Sequence, residues 1–190
     1  MGYGVQSPGA YRFLRDVIRE PLPYAAYADL WRRSRREGAT ATALCQLYLR
    51  IANRLQAPLF VDIAPVSSLA CAYIAAGCGR TRCVTIASAG DSDTLTAALD
   101  GTKGTKIVRL RLSHAAASVV QTLVERTAGD TFLLLEGIHN TAATRRQWTD
   151  ITAATGSGIA FDLYRCGLVM PHDRLTRHTY KVNLPRPWRP

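Results

Sequence analysis

Long apolar runs, paired cysteines and lysine are what this chain has least of. No uninterrupted apolar stretch reaches about 18 residues, so a membrane-spanning helix is not expected. The N-terminal "MGYGVQSPGAYRF" has no basic segment followed by an apolar one, so no secretory signal is expected either. The five cysteines, Cys45, Cys71, Cys78, Cys83 and Cys166, are odd in number and form no C-x-x-C pair. Several fall within apolar helix or strand patterns, where free cysteine behaves as a small hydrophobe, and a reducing cytoplasm suits that usage. Lysine occurs only at 103, 106 and 181, so the other cations are arginine.

What is present describes an ordinary globular chain. Its 190 residues, 47% hydrophobic and 20% charged, suit one domain with a substantial core. The net charge of +10 favours an acidic partner, RNA or protein, because clustered arginine neutralises phosphates. The arginine and alanine bias is also what a GC-rich genome gives without selection for binding. The cations are scattered apart from "WRRSRRE" (31–37), which reads as phosphate contact or as a solvated helical face.

The pattern along the chain changes once. Up to Gln56 it is helical. Ser7-Pro8 is a cap and first-turn pair, with Phe13, Leu14, Val17 and Ile18 on one face. Pro21 and Pro23 interrupt, and a second helix runs to Gly38. A third has Leu44, Leu47, Tyr48, Ile51 and Leu55 at helical spacing and stops before Pro58. From Leu59 strands and helices alternate. "LFVDIA", "CVTIA", "KIVRLRL" and "TFLLLEG" read as strands, each followed by a helical pattern, and "GIAFDLYR", "GLVM" and "HTYKVNL" close the domain as further strands. Parallel strands joined by helices imply a sheet covered on both faces. "PRPWRP" has the composition of a frayed tail.

In such a sheet ligands bind at the strand exits. Here these are Asp62 to Ser68, Ala87 to Asp91, Ser113-His114, and Glu136 to Asn140. The first exit, "DIAPVSS", opens like a nucleotide-binding βα unit yet contains no glycine.

Four separated stretches carry a family resemblance. "GVQSPGAYRFLRDVIREPLPYAAYADL", "LFVDIAPVSSLACAYIAA", "FLLLEGIHNTAATRRQW" and "FDLYRCGLVM … HTYKVNL" resemble, in order and over nearly the whole chain, the bacterial class I S-adenosylmethionine-dependent methyltransferases, in particular a small group common in Bacteroidetes. The resemblance implies an α/β fold with a Rossmann-like methyltransferase sheet. That sheet would be mostly parallel with antiparallel last strands. It implies a helical extension over 1–57, a sheet domain over 58–184 and a flexible tail over 185–190. S-adenosylmethionine is the cofactor it implies, if any.

The departures fall on the cofactor contacts. Where the family has E-x-G-x-x-x-G, this chain has Asp62, Ala64 and Ser68, with Pro65 in the turn. Alanine disfavours positive φ, and proline removes a backbone donor. The ribose-binding acid after the second strand is replaced by Ala87, with Asp91 four residues later. The sheet is expected to be shortened by one strand-helix unit, and "KIVRLRLSH" retains only His114 of the family's next motif.

Each candidate therefore has two readings. Asp62 orients a cofactor's amino-acid end or caps the next helix, and Ser67 and Ser68 line a ligand or act as helix caps. Glu136 and His139 are the catalytic candidates, as acid/base groups or substrate contacts. Joined by His114 or Asp162 they would have the ligand count of a metal site, though the spacing does not call for a metal. Tyr11, Tyr24, Tyr27 and Trp31 form a lid or pack the extension, and Trp148 reads as core. Three functions follow: a methyltransferase, a non-catalytic binding or assembly module on the same fold, and a site for another ligand around Glu136, His139 and His114.

Overall fold

The computed structural model describes residues 7–36, 42–126, 129–155 and 157–189. The leader before Ser7 and the helix stop at Gly38 lie outside the described residues. The chain divides into two compact units, Met1–Gln56 with Ser67–Thr81 and Leu184–Pro190, and Ala57–Val66 with Arg82–Asn183.

The first unit is helical. Helix α1, Pro8–Phe13, starts where the Ser7 hydroxyl accepts from the Ala10 amide at 3.3 Å and proline occupies the first turn. It runs into a π-helical turn, Leu14–Ile18. Arg50 covers the end of that turn, donating to the carbonyls of Ile18 at 3.3 Å and Glu20 at 3.2 Å. Helix α2 is Tyr27–Arg36 and α3 is Thr42–Leu55. Every residue of α3 from Leu44 to Ala52 is buried, a wider buried surface than the one face its spacing suggests. Part of the cover is α4, Leu69–Gly77, which approaches so closely that a Cβ on Gly77 would lie 2.2 Å from the Leu49 carbonyl oxygen. Glycine is what permits that crossing. Of the aromatic side chains in this unit Tyr27 is buried, with its ring 5.4 Å from that of the half-buried Tyr24, Trp31 is half-buried and Tyr11 is exposed. The closing segment, frayed by composition, is tied down. The Gln46 side chain donates to the Trp188 carbonyl at 2.9 Å and accepts from the Trp188 amide at 2.8 Å.

The second unit is a seven-stranded sheet in the order β2-β1-β3-β4-β6-β5-β7. The strands are β1 Leu59–Ile63, β2 Arg82–Ile86, β3 Lys106–Arg111, β4 Thr131–Glu136, β5 Ser157–Asp162, β6 Cys166–Thr176 and β7 His178–Lys181. The fold is α/β and Rossmann-like, with parallel pairing through β2, β1, β3 and β4. The antiparallel strand is β6, and the last strand, β7, runs parallel to β5. A tight hairpin at Leu163–Arg165 reverses the chain into β6, and the second reversal at Arg177 restores the direction of β5. The sheet has β2 at one edge and β7 at the other.

Helices α5 (Ser92–Asp100), α6 (Ala117–Arg126) and α7 (Ala142–Ala154) contribute Leu95, Leu99, Val119, Leu123, Trp148 and Ile151 to a core with Val61, Ile63, Val108, Leu110, Leu133 and Leu135. Trp148 is core, as its position suggests. It lies against Gly167, where a Cβ would sit 2.3 Å from the indole ring.

Candidate functional site

Strand order reverses between β1 and β3: the chain leaves β1 for β2 on one side, then returns to β3 on the other. Ligands of open α/β sheets bind outside the carboxyl ends of the strands at such a point. Four charged side chains stand there. Register sets Asp62 beside Arg109 and Arg111 beside Glu136. The period of two along β3 keeps both arginines on one face, opposite the core face of Leu110 and Leu135.

The four are bonded to one another. Arg109 Nη1 donates to Asp62 Oδ1 at 2.6 Å and its Nε donates to Glu136 Oε1 at 2.8 Å. Arg111 Nη2 donates to Glu136 Oε2 at 3.3 Å. Asp62 is 0% exposed, Glu136 5% and Arg109 6%. Two carboxylates and two guanidiniums balance in charge, which is what makes their burial tolerable. An unpaired ion in such a place would cost several kcal/mol. Burial pushes the Asp62 carboxyl above its ordinary range, and the Arg109 charge and hydrogen bond oppose that only in part.

Asp62 and Glu136 are thus brought together by Arg109, which sequence reasoning passes over. The signal was available. In "KIVRLRL" two arginines alternate with apolar residues in a buried strand, and buried cations require anions on the neighbouring strands.

The turn after β1 has its own answer. Ala64 has φ +47° and its amide donates to the Ile86 carbonyl at 2.7 Å. The left-handed conformation suited to glycine is kept, and alanine adopts it at a cost. The exit of β2 carries an exposed Ala87 and no acid. Asp91 is the N-cap of α5, accepting from the Thr94 amide at 3.0 Å, and that bond holds its carboxyl below the usual range. In the helical unit, the Ser67 hydroxyl accepts from the Leu69 amide at 3.3 Å, one residue ahead of the N-cap Ser68, whose side chain makes no capping bond. Arg33 donates to the Ser68 hydroxyl at 2.7 Å.

His114 is exposed at the end of a short 3-10 turn, Leu112–His114. His139 is paired with Asp162 rather than Glu136, Nε2 to Oδ2 at 2.8 Å. Its ring stacks on Tyr164, with centroids 5.2 Å apart and planes 28° apart. Among the described residues no three His, Cys, Asp or Glu side chains are grouped to hold a metal ion. No described helix is long and apolar enough to cross a membrane.

No family model and no curated protein matches the chain. A crystal structure described as that of "a putative methyltransferase" from Thermobifida fusca YX aligns over 80% of this chain and 74% of its own, with 14% identity and a TM-score of 0.42. A likeness of that size carries nothing about activity.

Proposed function

We propose that this chain is a methyltransferase-like protein that works without methyl transfer, as a binding or assembly module for an acidic partner in a reducing cytoplasm. The observation that carries the reading is Arg109 bonded to both Asp62 and Glu136. S-adenosylmethionine in this fold needs an accessible carboxylate after β1, a glycine turn beside it and an acid after β2. This chain presents a fully buried, ion-paired Asp62, a Cβ at Ala64 and a methyl group at Ala87. The residues do not fit the cofactor. Folds outlive the sites they carry, and an ion network is one way to close such a site. The acidic partner, RNA or protein, is the complement of the +10 charge.

One observation favours the other reading, a working methyltransferase. The left-handed φ of Ala64 preserves the path of a cofactor-binding turn. Calorimetric titration with S-adenosylmethionine, and separately with S-adenosylhomocysteine, decides between them. Flat isotherms up to millimolar ligand support the non-catalytic reading. Micromolar binding overturns it.

A further inference from the structure

We propose that Tyr164, backed by His139, is a stacking platform for an unpaired nucleobase, so that the acidic partner is single-stranded RNA. The inference deepens the acidic-partner reading above and rests on it.

Tyr164 stands at the tip of the β5–β6 hairpin with 71% of its surface exposed. Its backbone has φ +67°, a conformation glycine adopts freely and an aromatic residue rarely does. A hairpin tip under selection for stability alone would carry glycine or asparagine there. A large ring kept at a strained, exposed position points to use of the ring.

The ring is also held. The Tyr164 amide donates to Asp162 Oδ1 at 2.9 Å, while Asp162 Oδ2 fixes the His139 imidazole at 2.8 Å. One buried carboxylate therefore positions both the tyrosine backbone and the ring that backs it. The hairpin is locked from the β4 side as well, where the Gly137 amide donates to the Arg165 carbonyl at 2.8 Å. His139 stacks on the phenol while most of the tyrosine surface stays exposed, which leaves room for a base to continue the stack.

Phosphate-binding groups lie close along the chain. Arg165 is exposed beside Tyr164, and α7, which begins three residues after His139, exposes Arg145 and Arg146. Aromatic stacking with flanking arginine selects single strands, since in a duplex the base faces are covered.

Fluorescence anisotropy tests this, using a labelled single-stranded oligouridylate and an RNA duplex of equal phosphate number at low salt. The wild type is expected to bind the single strand more tightly than the duplex. Tyr164→Gly suits φ +67°, so its melting temperature should equal or exceed the wild type, while single-strand affinity falls about five- to 150-fold. Tyr164→Phe keeps the ring and should stay within about threefold of wild type. Equal affinity for the duplex, or full affinity in Tyr164→Gly, overturns the platform while leaving phosphate-driven binding to an acidic partner standing. A wild type that binds neither RNA at low salt overturns the inference and leaves an acidic protein as the partner to seek.

Discussion

Arg109 and Asp62 are cross-strand neighbours joined by a 2.6 Å ion pair. The guanidinium reaches a second carboxylate, Glu136, from the strand on its other side. One side chain on β3 therefore joins β1 to β4 at the point where an α/β sheet ordinarily opens to a ligand. The consequence is that residues expected to do chemistry now bear on stability, and stability measurements can read them.

Arg109→Leu removes the cation that bonds both carboxylates, the buried Asp62 and Glu136. Breaking a buried pair from one side costs about 3–5 kcal/mol, whereas replacing all partners by neutral groups is often close to neutral. The single variant should lose about that much in urea unfolding followed by circular dichroism. Arg109→Leu combined with Asp62→Asn and Glu136→Gln should recover most of it. A single variant that loses under ~1 kcal/mol would show that the network adds no more than an exposed pair does.

The Asp62 carboxyl gives a pH dependence of definite sign. Its folded pKa lies above the ordinary 3.8, so the native state takes up the proton before the unfolded chain does. Asp62 therefore adds relative stability as pH falls through its folded pKa, and the effect levels off below about 3.8. Compared with Asp62→Asn across that range, the wild type should gain ground on acidification. A wild type that loses ground instead would mean that the pairing with Arg109 outweighs burial and the carboxyl titrates below its ordinary value.

The sheet was legible because burial writes itself into strands. "TFLLL" is apolar without break since β4 is covered on both faces, and alternating strand and helix patterns announce a parallel sheet. The short link between Asp100 and Lys106 was legible too, and it holds no further strand or helix. The site was harder. Asp62, Glu136 and His139 stand at strand exits as their positions require, but their partners come from segments 23 to 47 residues away. Sequence spacing carries no sign of those pairings until the strand order is known. Asp91 illustrates the same limit: an acid near a strand exit looks like a ligand until its hydrogen bond to Thr94 shows it to be a helix cap.

Ala64 is a second place where backbone and residue type disagree, and the disagreement is measurable. A φ of +47° costs an L-residue about 1–2 kcal/mol relative to the right-handed regions, and glycine escapes that cost. Glycine also loses more entropy on folding, about 0.5–1 kcal/mol, so the two effects partly cancel. Ala64→Gly is expected to stabilise the protein by ~0.5 kcal/mol in urea unfolding. The same substitution restores the residue type a cofactor turn prefers, yet Asp62 stays bonded to Arg109 and Ala87 offers no acid. Titration of Ala64→Gly with S-adenosylmethionine should therefore stay flat. If glycine alone restores micromolar binding, the Cβ of Ala64 was the only obstacle and the ion network is no barrier to the cofactor. If Ala64→Gly destabilises, the left-handed turn is not where the strain lies, and Pro65 must hold the loop in a shape that alanine fills without cost.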